Sequence, residues 1–184
     1  MHRVTLSPRV FTIPQFLTPA ECGQLIQLAE DTGFTAAEVR THGGPRPLPQ
    51  VRNNQRTMVE SPDWVALLWH RLSQVELPKI EGARAAGLPK DLRFYKYAPG
   101  QRFKMHKDGP WHEGGLTSAL TFLVHLNEGF EGGATDFKTF QVQPRQGTAL
   151  VFIHDTWHEG SALVEGTKYV LRSDVLYPKG PAIV

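Results

Sequence analysis

Leu92-Arg93-Phe94-Tyr95-Lys96-Tyr97, closed by Ala98-Pro99-Gly100, is the stretch that decides the fold. An aromatic-rich run that stops at a Pro-Gly signal reads as a strand ending in a turn. From Leu92 onward the chain keeps a period of two. Residues 117–126, 135–142, 148–153 and 168–177 each read as further strands, parted by turn signals at Gly129 to Gly133, Pro144-Arg145-Gln146-Gly147 and Glu165-Gly166. Upstream the pattern differs. Residues 10–16 read as a short strand. Thr18-Pro19-Ala20-Glu21 then opens a helix with a threonine cap, an early proline and a glutamate that completes a capping box. Cys22, Leu25, Ile26 and Ala29 form its apolar stripe, and Gly33 can end it. Ser61-Pro62 starts a second helix with Val65, Leu68, Trp69 and Leu72 at helical spacing. Residues 78–90 read as a connection. Helices followed by closely spaced strands predict an α+β chain, mainly β: an antiparallel sandwich or barrel with helices on one side.

The bulk numbers narrow the class. A chain of 184 residues fits a single domain, 1–184, with support in about 1–90 and a core in about 91–178. Hydrophobic residues make up 40% and charged residues 21%, as in ordinary globular proteins. A net charge of +2 gives no argument for nucleic acid or a membrane surface. The single cysteine, Cys22, precludes an intrachain disulfide and suits a reducing compartment. Met1-His2-Arg3-Val4-Thr5-Leu6 lacks the apolar centre of a signal peptide, and no run approaches the ~18 apolar residues of a membrane helix. A cytoplasmic location and no membrane partner are expected. Oligomeric state is unreadable.

Chemistry concentrates at Phe103-Lys104-Met105-His106-Lys107-Asp108 and Asp155-Thr156-Trp157-His158-Glu159-Gly160. Two imidazoles and one carboxylate, His106, Asp108 and His158, are the donor set of a facial triad. Such a triad holds non-heme Fe(II) and leaves other coordination positions open. On an extended strand residues i and i+2 point the same way, so His106 and Asp108 could reach one ion. His158 must then come from a strand laid alongside. His112, His125 and His154 are expected to be structural or cavity-lining, since the triad already supplies three ligands.

Residues 92–177 resemble the Fe(II)- and 2-oxoglutarate-dependent dioxygenases of the prolyl 4-hydroxylase-like branch. The matching pieces come in order: Tyr97-Ala98-Pro99-Gly100-Gln101, His106-Lys107-Asp108, Leu126-Asn127, Gly132-Gly133-Ala134-Thr135, Pro144 to Phe152, and His158-Glu159-Gly160. The resemblance covers the C-terminal half well and the N-terminal half weakly. It implies a double-stranded β-helix, a jelly-roll barrel with iron at its mouth. It implies Fe(II), 2-oxoglutarate and O₂ as cofactors, with ascorbate as a supporting reductant, and hydroxylation of an unactivated C–H with release of succinate and CO₂. The branch also implies a cation about ten residues beyond the distal histidine, where a buried charge-assisted bond holds the far carboxylate of 2-oxoglutarate. That position is Lys168. Arg172 is its rival, on the same strand and of the same parity. Tyr97 would donate to that carboxylate or pack beside it. Gly109 to Leu116 departs from the family by lacking its arginine-threonine entry to the next strand, which leaves the substrate side open.

The substrate is expected to be a small molecule, an amino acid or a peptide. Residues 39–60 hold Gly43, Gly44, Pro45, Pro47 and Pro49, and four arginines at 40, 46, 52 and 56. They read as irregular over much of their length and as a mobile lid over the iron. Arg52, Asn53, Asn54 and Arg56 would line its inner edge, the arginines pairing with a substrate carboxylate and the asparagines with its amide or backbone groups. This polar run, followed by apolar Met58 and Val59, would suit a strand flanking the barrel mouth. Trp111 would sit on the opposite rim. A solvated polar loop is the plain alternative. Two other functions share the pattern. A nucleic-acid demethylase would carry an arginine pair after the distal histidine, whereas only Arg172 lies between Lys168 and Lys179. A non-catalytic metal-binding barrel would leave Lys168 and the ordered flanks unexplained.

Overall fold

Alternation of side chains about an extended backbone gives the sheet of this chain two unlike faces. The computed structural model describes residues 1–41 and 43–179. In chain order the elements are β1 (Val4–Ser7), β2 (Val10–Ile13), α1 (Pro19–Thr32), β3 (Thr35–Ala36), β4 (Val39–Thr41), β5 (Gly44–Arg46), β6 (Gln55–Glu60), α2 (Pro62–Leu72), β7 (Asp91–Tyr97), β8 (Phe103–His106) and β9 (His112–Glu113). They continue as β10 (Leu116–His125), β11 (Glu131–Gly132), β12 (Thr135–Asp136), β13 (Gln141–Val142), β14 (Ala149–Ile153), β15 (His158–Gly160), β16 (Leu163–Glu165) and β17 (Lys168–Pro178). The large sheet runs β1-β2-β14-β10-β17-β7-β6-β3, with β9 also on β10. A four-stranded sheet, β13-β12-β15-β8, lies against it. All pairings are antiparallel. The architecture is of the jelly-roll type.

One face of the large sheet carries Leu92, Phe94, Leu120, Phe122, Val124, Val151 and Leu171, all buried with α1 and α2 upon them. Cys22, Leu25 and Ala29 of α1 and Leu68 and Leu72 of α2 complete this core, as the helical spacing predicts. The capping box forms: Thr18 Oγ1 accepts from the Glu21 amide, and Glu21 Oε2 accepts from the Thr18 amide at 2.8 Å. The same carboxylate takes a two-pronged grip from Arg71 at 2.7 and 2.9 Å, which ties α1 to α2. Arg71 and the cap outweigh burial and hold the Glu21 carboxyl down at about 2; the Arg71 hydrogen bond is the largest cause. Gly147 makes the turn into β14. It has φ +74°, and a Cβ there would meet the Leu17 carbonyl oxygen at 2.1 Å. No helix of the described residues is long and apolar enough to cross a membrane.

The segment 39–60 corrects the expected lid. Apart from His42, which lies outside the described residues, it contains a hairpin, β4 on β5, and then β6. β6 pairs with β7 over six residues, from Gln55↔Lys96 to Glu60↔Asp91, so this half is a fixed strand of the large sheet. Backbone pairing wins over the irregular composition because the prolines all precede β6. Residues 135–142 also differ from expectation. They form the hairpin β12–β13 around a turn in which Lys138 has φ 71°.

Candidate metal centre and cavity

β15 lies antiparallel to β8 with His158 directly opposite His106, and the two ring centroids are 4.2 Å apart. The sequence places Asp108 on the same strand as His106. In the structure β8 ends at His106, and Asp108 stands in the loop beyond it. Its backbone N–H is taken by the His154 carbonyl at 3.0 Å, which turns the chain away from β15 and still brings the carboxylate inward. Asp108 Oδ1 lies 3.5 Å from His106 Nε2, and Oδ2 lies 3.6 Å from His158 Nε2. One donor atom from each of the three falls within 4.8 Å of the others.

The protonation states suit a metal. His106 Nδ1 donates to the Lys104 carbonyl at 2.7 Å and His158 Nδ1 to the Thr156 carbonyl at 3.0 Å. A carbonyl only accepts, so the proton sits on Nδ1 and each Nε2 lone pair is free to bind an ion. Burial pushes the His158 imidazole down to about 4, which keeps it neutral. Burial alone would raise the Asp108 carboxyl, but Arg172, with the two imidazoles, holds it well below the usual carboxylate range. Thr121 Oγ1 donates to Asp108 Oδ2, fixing the carboxylate's rotation. Two imidazoles that present Nε2 and an ionised carboxylate fit Fe(II).

The cluster opens on a cavity of about 430 Å³ between the two sheets. The second face of the large sheet forms its wall: Arg93, Tyr95 and Tyr97 from β7, Thr121, Leu123 and His125 from β10, and Lys168, Val170 and Arg172 from β17.

Residues 92–173 match the 2OG-Fe(II) oxygenase superfamily. Over an alignment of 210 residues the chain is 27% identical to prolyl 4-hydroxylase 2 of Arabidopsis thaliana, covering 92% of this chain and 67% of that protein. These matches support a 2OG-Fe(II) oxygenase, prolyl hydroxylase-like. Its fold agrees with that of a Pseudomonas putida prolyl-4-hydroxylase, at TM-score 0.67 and 17% identity over 95% of this chain and 96% of the other. It agrees likewise with a Trichoplax adhaerens prolyl hydroxylase in complex with a hypoxia inducible factor oxygen degradation domain peptide fragment, at TM-score 0.71 and 14% identity over 92% and 84%. The family match and the prolyl 4-hydroxylase relative indicate an oxidoreductase, a dioxygenase that uses Fe(II), 2-oxoglutarate and O₂, and the His-Asp-His cluster fits the iron.

The two cations expected to compete for 2-oxoglutarate, Lys168 and Arg172, have different surroundings. Lys168 is buried, stands opposite Tyr97 across β17 and β7, and lies 5.2 Å from the Tyr97 ring centroid. Its ammonium donates to the Gly133 carbonyl and has no carboxylate partner among the described residues. Burial pushes it down to about 8. Gly133 belongs to the Gly-Gly-x-Thr turn, and a Cβ there would meet Lys168 Cδ at 3.0 Å. Arg172 is also buried, but it lies 3.1 Å from Asp108 Oδ2 and 3.2 Å from Asp174 Oδ1, so its charge is already matched. Asp174 binds Arg93 as well. Tyr97 is buried, which pushes its phenol up to about 12.

The residues expected to grip substrate divide into two groups. Arg52 and Arg56 line the cavity, Arg56 leaning on Glu38 at 3.6 Å. Asn53 and Asn54 do not line it. Asn53 Oδ1 accepts from the Arg102 amide at 2.8 Å, and the buried Asn54 accepts from Arg52 Nε at 2.7 Å. These amides bind the chain itself. Trp111 lines a neighbouring hollow of about 190 Å³, with Met58, Pro89 and Asp91, rather than the metal cavity. Its indole donates to Glu113 at 3.1 Å.

Sequence reasoning missed Arg93, Tyr95, Thr121 and the lining role of Leu123. Parity with Tyr97 finds the two on β7. Tyr95 reports the field there: burial raises its phenol, but Arg172, Arg52 and Arg93 outweigh burial and bring it down to about 7. His125 and His154 are buried and His125 lines the cavity, whereas His112 is exposed and bonded to Thr117. Burial pushes His125 down to about 3, with Lys168 adding to it, and both ring nitrogens lack partners. His154 is held by Ser118 and Thr121 at 2.7 and 3.0 Å.

Proposed function

We propose that this oxygenase hydroxylates an unactivated C–H of an amino-acid residue, a peptide or a small molecule, as a prolyl hydroxylase does. One O₂ and one 2-oxoglutarate are consumed per C–H; one oxygen atom enters the new hydroxyl, the other enters succinate, and CO₂ leaves. The observation that carries this reading is the His106–Asp108–His158 cluster opening on the same cavity as an uncompensated buried lysine. His106, Asp108 and His158 would hold Fe(II), which supplies open positions for 2-oxoglutarate and O₂ and the oxidising power. Lys168 would bind the far carboxylate of 2-oxoglutarate, with Tyr97 packed beside it. Arg172 is assigned instead to steadying Asp108, because its two carboxylate partners leave no charge for a third. Arg52 and Arg56 would face the substrate. The cavity walls exclude water and position the reactants; no side-chain acid or base is assigned. The Trichoplax structure, in complex with a peptide fragment, supports a peptide or amino-acid substrate. In the same reading residues 1–184 form one domain and the facing sheets a double-stranded β-helix.

Metal titration tests the assignment. Wild-type protein should bind one Mn(II) or Fe(II), and His106→Ala, Asp108→Ala and His158→Ala should each weaken binding by about a hundredfold or more, the loss of one ligand costing several kcal/mol. Succinate release with Fe(II), 2-oxoglutarate and a panel of peptides and free amino acids tests the reaction. Unchanged metal affinity in all three variants would remove the site assignment, and no succinate with any partner would remove the reaction.

A further inference from the structure

We infer that the substrate carries a carboxylate and that Arg52 receives it, an inference that rests on the oxygenase reading and sharpens its substrate class. Charge comes first. Six cationic side chains line the cavity (Arg52, Arg56, Arg93, Lys107, Lys168 and Arg172) against two carboxylates, Glu38 and Asp108. Most of these cations have partners. Arg93 and Arg172 share Asp174, Arg172 also holds Asp108, Arg56 lies 3.6 Å from Glu38, and Lys107 lies 3.7 Å from Asp155. Among the described residues only Arg52 and Lys168 line the cavity with no carboxylate within 4 Å. The oxygenase reading gives Lys168 to 2-oxoglutarate. Fe(II) and the 2-oxoglutarate dianion bring equal and opposite charge, so together they leave Arg52 unmatched.

Arg52 is held as a fixed donor. It is 6% exposed, although arginine rarely buries without a partner. Its guanidinium lies 4.2 Å from the Tyr95 ring centroid and 4.5 Å from that of Phe103. Its Nε is engaged by Asn54, whose own Nδ2 is tied to the Gln55 carbonyl at 2.9 Å. One terminal nitrogen, Nη2, is buried with no partner. An unsatisfied buried donor costs roughly 1–3 kcal/mol, more when charged, and an anion drawn to the cavity side of the guanidinium offsets that cost. A planar guanidinium with its stem locked suits a carboxylate.

Position narrows the size of the acid. Phe103 stacks on the His106 ring at 3.5 Å, so Arg52 is one ring removed from the metal ligand. Lys168 sits over Tyr97 and Arg52 over Tyr95, two residues apart on one face of β7, roughly 7 Å along the strand. The two anion stations are therefore neighbours. A cavity of about 430 Å³ lies toward the small end for ligand sites, and it must also hold 2-oxoglutarate. The fitting substrate is a small acid, a free amino acid or the C-terminal residue of a peptide, oxidised a few bonds from its carboxylate.

The test compares acids with their amides. Wild-type protein with Fe(II) is assayed for 2-oxoglutarate consumption with free proteinogenic amino acids and their carboxamides. Proline-ended peptides with free or amidated termini and phosphorylated amino acids complete the panel. We expect at least one acid to be used, with kcat/KM about tenfold or more above its amide, the worth of one charge-assisted contact. Arg52→Gln should bring that ratio near one by raising the KM of the acid, and Arg52→Lys should restore part of it. Amides used as well as acids, a response to phosphorylated probes alone, or no response to any acid would each overturn the inference. So would an Arg52→Gln defect traced to weaker 2-oxoglutarate binding by titration into Mn(II)-loaded protein. Those outcomes leave the oxygenase reading standing. Failure of wild-type protein to bind Mn(II) and 2-oxoglutarate would remove both.

Discussion

Replacing Lys168 with methionine should make the protein more stable and its cosubstrate site worse. Burial lowers the lysine from 10.5 to about 8 without a compensating carboxylate. That difference corresponds to about 3 kcal/mol by which the charged form disfavours the folded state. The sign follows from the direction. A depressed amine favours the fold in its neutral form, so the penalty is complete below pH 8 and fades as pH rises from about 8 to 10.5. Methionine keeps the unbranched stem and drops the charge. At pH 7 Lys168→Met should then gain up to about 3 kcal/mol, roughly 6–12 °C for a chain of this length; near pH 10.5 the gain should vanish. The cosubstrate pays no such compliment to the variant. A buried carboxylate left without its cation loses roughly 3–5 kcal/mol, a hundredfold to several thousandfold in affinity. Wild-type kcat/KM for 2-oxoglutarate should also fall about tenfold per pH unit above about 8, where the lysine discharges. Denaturation of metal-free protein at two pH values and calorimetric titration of 2-oxoglutarate into Mn(II)-loaded protein measure both sides. A variant that is less stable at pH 7, or that binds 2-oxoglutarate within threefold of wild type, would refute the reasoning.

Three further outcomes follow from contacts described above. Arg172→Met should weaken 2-oxoglutarate binding less than Lys168→Met does, yet destabilise the fold by roughly 1.5–3 kcal/mol, because Asp108 loses its guanidinium partner and Asp174 is left with Arg93 alone; the reverse ranking in the same titration transfers the cosubstrate role to Arg172. Glu21→Gln should cost about 1–2 kcal/mol through the lost cap and Arg71 pair. Since the folded carboxyl is depressed to about 2, that contribution is present above about pH 4.5 and is lost as pH falls toward 2, so acid unfolding of the variant should be flatter across this window. Gly147→Ala should cost more than about 1 kcal/mol in urea denaturation, from positive φ and the overlap with the Leu17 carbonyl.

The strands of residues 92–177 were legible because a buried sheet prints its period on the sequence. β7, β10, β14 and β17 fall within a residue or two of where alternation puts them. Two-residue strands such as β9, β11 and β12 are too short to show a period. β6 was legible only in part: its polar run followed by Met58 and Val59 suits a strand, but of its six residues only Thr57 is buried, so no clear period separates it from a polar loop. The residues of the metal cluster were legible from type and spacing, though not the loop that carries Asp108. Asn53 and Asn54 show the limit. An amide announces that it will make hydrogen bonds, but its partner depends on neighbours distant in sequence, Arg102 for one of them. Tyr95 was readable from Tyr97 by parity, and its field was not, because the arginines around it come from three separate strands and loops.

The division of β7 into two faces has a consequence for how this protein can change. Leu92 and Phe94 face the helices, while Arg93, Tyr95 and Tyr97 face the cavity. Alternate letters of one short word thus serve separate purposes, and substitution at one set leaves the other nearly untouched. New substrate preferences can be explored at residues 93 and 95 while the hydrophobic layer stays as it is. Insertion or deletion of a single residue is a different event. It would turn arginine and tyrosine into the apolar layer and leucine and phenylalanine toward the metal. Descendants of this sequence should therefore vary in the identity of these residues far more readily than in the length of the strand.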